Sequence, residues 1–388
     1  MDLQKTRFGN LFICEVKFSR NPMPSTIIQE MQTMINALPP PADMLNYWYL
    51  TKVNGISSKI KESVFSSHYR QGPYFMKFFF LLIVLFSNFL NALISIENTN
   101  NEKEMTVKVA GAELFCKIMG HGDPIFFIQG GPGLPYDMKT PVISKLTEKN
   151  LIVFFEHRGS YRSTGEVNCD TIKLDVFVED LESLRKSFGF TKISLIGDCW
   201  GGSLAIKYAI THPESVDKLV LLSTLPASFE DLILSGIEFK SRLAPFKEEI
   251  HNIQKSQEFI LGNQEASLRI QELNYIPHFY NSEQAKAYVL RWPLTLAAMT
   301  TVATMREILA RTEYSKYFNW HSLLQELNNP TLIICGDNDW IPISSNEKIH
   351  KAIPNSKLII LKDCGHMTLY EKSDEVLKAL KEFFAEKF

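Results

Sequence analysis

Cys199 stands in the run Gly197-Asp198-Cys199-Trp200-Gly201-Gly202, a thiol bracketed by glycines. Small flanking residues permit a sharp strand-to-helix turn whose central residue takes strained backbone and projects its heteroatom. A helix read over residues 203–210 would then aim its positive N-terminus at the sulfur and favour thiolate. A buried structural cysteine beside a Gly-rich helix start is the competing reading. Placement between a strand and a helix argues for a nucleophile. Asp198 opposes thiolate by charge, unless it points away.

Three further groups complete an acyl-transfer set. A run ending Cys335-Gly336-Asp337-Asn338-Asp339-Trp340 supplies an acid that can orient a histidine. Asp339 and Asp337 compete for that role, and surface turn chemistry is the bland alternative for both. Asp363-Cys364-Gly365-His366 supplies a general base, His366, on the last loop before a terminal helix. Gln129-Gly130-Gly131-Pro132-Gly133 follows a short apolar run, and backbone amides of such a loop can meet a developing oxyanion. The amide of Gly131 pairs naturally with that of Trp200. No G-K-[ST] follows the loop, so phosphate binding has no second signal.

These residues need a sheet to hold them. Residues 106–109 and 113–119 alternate as an antiparallel pair. Residues 124–128, 151–155, 192–196, 218–222, 331–334 and 358–361 read as short apolar strands of the kind buried on both faces in a parallel sheet. Between 171 and 188, Leu174, Phe177, Val178, Leu181, Leu184 and Phe188 form one helical stripe. Helices are also read near 345–352 and 373–384. Strand and helix alternation predicts an α/β fold. It breaks off over residues 225–326, which read as an inserted helical lid. The core is then 105–224 with 327–388.

The chain has 388 residues with a formal net charge of -2, so no electrostatic case for nucleic acid exists. No Cys/His spacing fits a metal, and no cofactor is implied. Residues 1–75 carry no sustained periodicity and stay unassigned. From Met76, residues 76–95 read MKFFFLLIVLFSNFLNALIS. One Lys followed by an apolar run reads as a signal peptide or a signal anchor. Met76 is then either the true start or the base of a membrane anchor. Basic residues before the run and Glu97, Glu102 and Glu104 after it place the catalytic part outside the cytoplasm: secreted, periplasmic or membrane-anchored. Export would allow disulfides, and Cys335 with Cys364 is a conceivable pair.

From about Met105 to the C-terminus the chain resembles the proline iminopeptidase-like branch of the α/β-hydrolase fold superfamily. Residues 129–133 resemble its HGGPG motif, residues 156–163 its DQRGxGxS motif, and residues 197–202 its GGSWGS elbow. The order nucleophile, acid, base also fits. The resemblance implies a mostly parallel sheet flanked by helices, with a helical lid, and a Cys199, Asp339, His366 triad. Its departures include Cys199 for Ser, Gln129 for His, Glu156 for Asp and Tyr161 for Gly. The family's lid carries acids that hold a substrate amine. Glu248, Glu249, Glu272 and Glu307 are available here, but none matches by sequence.

A thiolate is a better leaving group than an alkoxide, and an amine must be protonated before it departs. Activated esters, lactones or thioesters are therefore expected as better substrates than peptides. The expected partner is a small-molecule or short-peptide substrate, with membrane association through residues 76–95. A prolyl aminopeptidase and a non-catalytic binder of the same fold are the alternatives.

Overall fold

The computed structural model describes residues 5–8, 11–14, 102–292, 294–314 and 317–386. The chain divides into two units, 1–90 and 91–388. In the first, Lys5–Phe8 pairs antiparallel with Leu11–Cys14. The apolar run at 76–95 lies outside the described residues, as does most of the unassigned extension. Among the described residues, no helix is long and apolar enough to cross a membrane.

The second unit is built on one eight-stranded sheet. Its strands are β1 (Lys103–Val109), β2 (Ala112–Gly120), β3 (Asp123–Ile128), β4 (Asn150–Phe155), β5 (Ile193–Asp198), β6 (Val216–Leu222), β7 (Thr331–Gly336) and β8 (Ser356–Leu361). Their order across the sheet is β8-β7-β6-β5-β3-β4-β2-β1. β1 pairs antiparallel with β2, and β2 antiparallel with β4. Every other neighbour is parallel. β5 and β7 are buried along their whole length, which is why they read as unbroken apolar runs.

Two apolar layers cover the sheet. On one face lie α1 (Leu174–Ser187) and α2 (Trp200–Thr211), with Phe177, Leu181, Leu204 and Tyr208 in the core. On the other, α9 (Ser373–Ala385) packs Val376, Leu380 and Phe383 against Ile196, Val220 and Ile334. Between β6 and β7 the chain is helical: α3 (Phe229–Leu243), α4 (Lys247–Lys255), α5 (Gln264–Tyr275), α6 (Glu283–Arg291) and α7 (Leu296–Thr312). Ser228, Asn263 and Thr295 start three of these helices by accepting a backbone N–H three positions on. α8 (Ile343–Ala352) follows β7.

The topology creates the site. The chain leaves β3 toward β4 on one side, and later lays β5 on the other, with Ile128 opposite Gly197. Such a reversal opens a crevice at the carboxyl ends of the strands. The 129–133 loop and the Cys199 turn both empty into it.

Candidate active site

Cys199 joins β5 to α2 with φ 57 and ψ -117, a region non-glycine residues rarely occupy. Its N–H donates to Leu222 O at 2.9 Å, and its carbonyl accepts from Gly202 N at 3.0 Å and Leu225 N at 3.2 Å. Those bonds hold a conformation that costs of order 1–3 kcal/mol. Glycine is required at 201, because a Cβ there would lie 2.1 Å from Ile128 O. The turn predicted from sequence is thus present, and Cys199 is half-buried and free.

His366 sits on the loop after β8, and its Nδ1 meets Asp339 Oδ1 at 2.9 Å and Oδ2 at 3.0 Å. Both residues are buried. Asp339 is therefore the acid that pairs with the histidine. Asp337 instead accepts from Cys364 N at 3.1 Å, as turn chemistry would have it. Burial disfavours charge on His366, but the Asp339 carboxylate and then the neighbouring Cys199 side chain outweigh it and hold the imidazole well above its ordinary value. His366 Nε2 is buried and makes no hydrogen bond of good geometry, yet the Cys199 side chain lies near enough to favour its protonated form. Such bonds are often loose before substrate arrives.

The 129–133 loop is fixed from several sides. Gln129 Nε2 donates to Leu134 O at 3.1 Å and Phe155 O at 2.9 Å. Gly133 N donates to Nδ1 of His157 at 3.3 Å. Burial pushes His157 down to about 3, so it stays neutral and accepts that bond. Its ring also meets the Trp200 ring edge-on at 5.2 Å. Gly131, with φ 128, presents its carbonyl to Arg306 Nε at 2.7 Å. The amides of Gly131 and Trp200 carry no hydrogen bond among the described residues and remain available to an oxyanion.

The other departures from the family pattern keep their structural roles. Buried Glu156 accepts from Arg162 N at 2.7 Å and Nη2 at 2.7 Å. Arg158 next to it forms a bidentate buried pair with Asp180 at 2.7 and 2.6 Å. Tyr161 holds φ 48, the backbone a glycine would favour.

A cavity of about 340 Å³ connects these groups to the lid. Gly130, Gly131, Cys199 and His366 line one side, while Tyr275, His278, Tyr288, Val302 and Arg306 line the other. Asp198 also faces it, but buried Lys139 stands 3.7 Å away and offsets its charge. Lys139, His278 and Arg306 were not marked by sequence reasoning. His278 packs on His366 with ring centroids 5.1 Å apart, and accepts from Trp340 Nε1 at 3.0 Å. Its backbone carbonyl takes the His366 N–H at 2.7 Å.

Two expectations change. Cys335 and Cys364 are free buried thiols, not a disulfide. Burial pushes Cys335 up to about 12, so neither competes as a nucleophile. Of the lid glutamates, Glu249 and Glu272 pair with Arg269 at 2.8 and 3.1 Å, Glu307 pairs with Arg311, and Glu248 is exposed. None lines the cavity.

The sequence pattern of the family described as alpha/beta hydrolase fold matches residues 123–373. The chain is 26% identical to the proline iminopeptidase of Thermoplasma volcanium over 297 residues, 71% of this chain and 95% of that one. It is 26% identical to that of Saccharolobus solfataricus, covering 73% of this chain and 92% of the relative. An alpha/beta fold family hydrolase from Bacillus anthracis superposes with TM-score 0.60 at 19% identity, covering 73% of this chain and 99% of that one. The likeness in structure shows the fold, and the likeness in sequence narrows the branch. The chain is a hydrolase that belongs to the alpha/beta hydrolase fold family, in its proline iminopeptidase-like branch.

Proposed function

We propose that the chain hydrolyses a small ester, lactone, thioester or amide through a Cys199, His366, Asp339 triad. One observation carries the reading. The buried Asp339–His366 pair leaves Nε2 unpartnered at a cavity that Cys199 also lines. The Cys199 thiolate attacks the carbonyl carbon, and the Gly131 and Trp200 amides receive the oxyanion. His366 passes its proton to the leaving oxygen as the carbon–oxygen bond breaks, and a thioester remains. Water then gives a proton to His366 and its oxygen to the thioester, which releases the acid and the thiolate. Export of this unit is part of the proposal and rests on the composition of residues 76–95 alone.

Aryl ester hydrolysis tests it. Cys199→Ala should lose at least roughly 1000-fold in kcat/KM. Equal rates in the variant and the wild type would remove Cys199 from the mechanism.

The names of the relatives favour a second reading, release of an N-terminal proline. The cavity opposes it. Among the described residues Asp198 is the one carboxylate lining it, and Asp198 already has Lys139 as partner. Turnover of an unblocked prolyl arylamide faster than of an aryl ester would favour the peptidase.

A further inference from the structure

We infer that the cavity selects substrates bearing a carboxylate near the scissile carbonyl, and that Arg306 reads that carboxylate. The inference rests on the reading of this cavity as an acyl-hydrolase site.

The charges on the cavity wall are few. Asp198 and Lys139 are both buried and lie 3.7 Å apart, so each offsets the other. Arg306 is the charge left over. It stands on α7 and has no carboxylate within 4 Å among the described residues. Three other lid arginines differ, whereas Arg291 lies over the Trp292 ring, away from the cavity lining, and like Arg306 has no carboxylate among the described residues. Arg242 meets Glu238 at 2.7 Å, Arg269 meets Glu249 and Glu272, and Arg311 meets Glu307.

The way Arg306 is held also matters. Its Nε donates to Gly131 O at 2.7 Å, and its two terminal nitrogens have no partner among the described residues. A planar fork with both ends unoccupied matches a carboxylate in bidentate fashion. Because Gly131 also carries the amide assigned to the oxyanion, the fork is tied to the residue that would receive the attacked carbonyl. The buried Met305 keeps α7 in place, its sulfur resting against the Cα of Gly133 so closely that a Cβ there would lie 2.9 Å away. Neighbouring groups feel the field. His278 is depressed first by burial and then by the charges of His366, Arg306 and Lys139. A substrate cation is repelled by this wall, and a substrate anion is drawn to it.

Two esters that differ by one charge test this: mono(4-nitrophenyl) adipate and its methyl ester. The measured quantity is the ratio of kcat/KM for charged over neutral substrate. Arg306 is exposed, so a preference of no more than roughly 10-fold is expected in the wild type, falling as salt is added. Arg306→Met should abolish most of the preference, and Arg306→Lys should restore part of it. Loss of the Gly131 contact alone would slow both esters and leave the ratio intact. An unchanged ratio in Arg306→Met, or a wild type that favours the neutral ester, would overturn the inference. Calorimetric binding of monomethyl adipate against dimethyl adipate, with wild type and Arg306→Met, reads the same preference without turnover. If neither ester is cleaved yet the monoacid binds in an Arg306-dependent way, the acyl-hydrolase reading falls and the carboxylate site stands.

Discussion

Cys199, Gly131 and His366 reach the cavity from turns at the ends of parallel strands, whereas Tyr275, His278, Tyr288 and Arg306 reach it from the chain between β6 and β7. The first group is held by backbone. Strand register sets Ile128 beside Gly197, and the Cys199 turn is bonded to Leu222, Gly202 and Leu225. The second is held by side chains that pack on one another, as Tyr275 does on Tyr288 at 5.1 Å and Tyr288 on Tyr370 at 5.3 Å. Backbone bonds repeat wherever the same turn forms, so that wall can be fixed while helix packing alters the other. The proposed function thus assigns chemistry to the first wall and selectivity to the second.

The comparison breaks first, and most heavily, at the turn. Gly201→Ala places a Cβ 2.1 Å from Ile128 O, and neither backbone can move without shifting β3 or β5. A loss of about 3 kcal/mol is expected, read as a fall in Tm of roughly 10 °C by calorimetry. A thermally unchanged Gly201→Ala protein would show that the strand ends yield as readily as the lid.

Asp339→Asn keeps the fold and attacks the chemistry. The expected loss in kcat is roughly 1000-fold, from an imidazole left without its orienting carboxylate. The pH dependence sharpens the point. His366 sits well above its ordinary value, so its ion pair stabilises the fold fully below the unfolded value and is lost as pH rises through the raised one. Activity should fall over the same alkaline range, because the imidazolium that protonates the leaving group disappears. In Asp339→Asn the larger of the two charges holding that proton is gone, and the alkaline limb should move to lower pH. A limb that stays in place would assign it to another group.

Met299→Ala makes the smallest change. Met299 lines the cavity from α7 and is only partly buried, so stability should shift by less than about 1 kcal/mol. Its effect belongs in KM, a roughly 3- to 10-fold change that depends on acyl chain length, with kcat nearly constant. A loss in kcat equal to that in kcat/KM would mean that the lid takes part in the chemistry.

What could be read in advance follows the same division. Apolar strands, the glycines around Cys199 and the order of Cys199, Asp339 and His366 are local in sequence and were legible as such. The choice between Asp339 and Asp337 needed the geometry, since both stand on one loop two residues apart and only one faces the histidine. Lys139, His278 and Arg306 carried no motif. Each acquires its role from helix or loop packing across long sequence separation, as when Arg306 reaches back 175 residues to Gly131. The suspected Cys335–Cys364 bridge failed for a related reason. Sequence placed both at strand ends but could not show whether the thiols meet, and each is buried as a free thiol.

Peptide mass analysis of protein quenched during aryl ester turnover tests the central claim most directly. An acyl group should be found on the peptide containing Cys199, labile to hydroxylamine as a thioester, and should be absent from Cys199→Ala. Turnover without any adduct at Cys199, or with the acyl group on a different residue, would contradict the account.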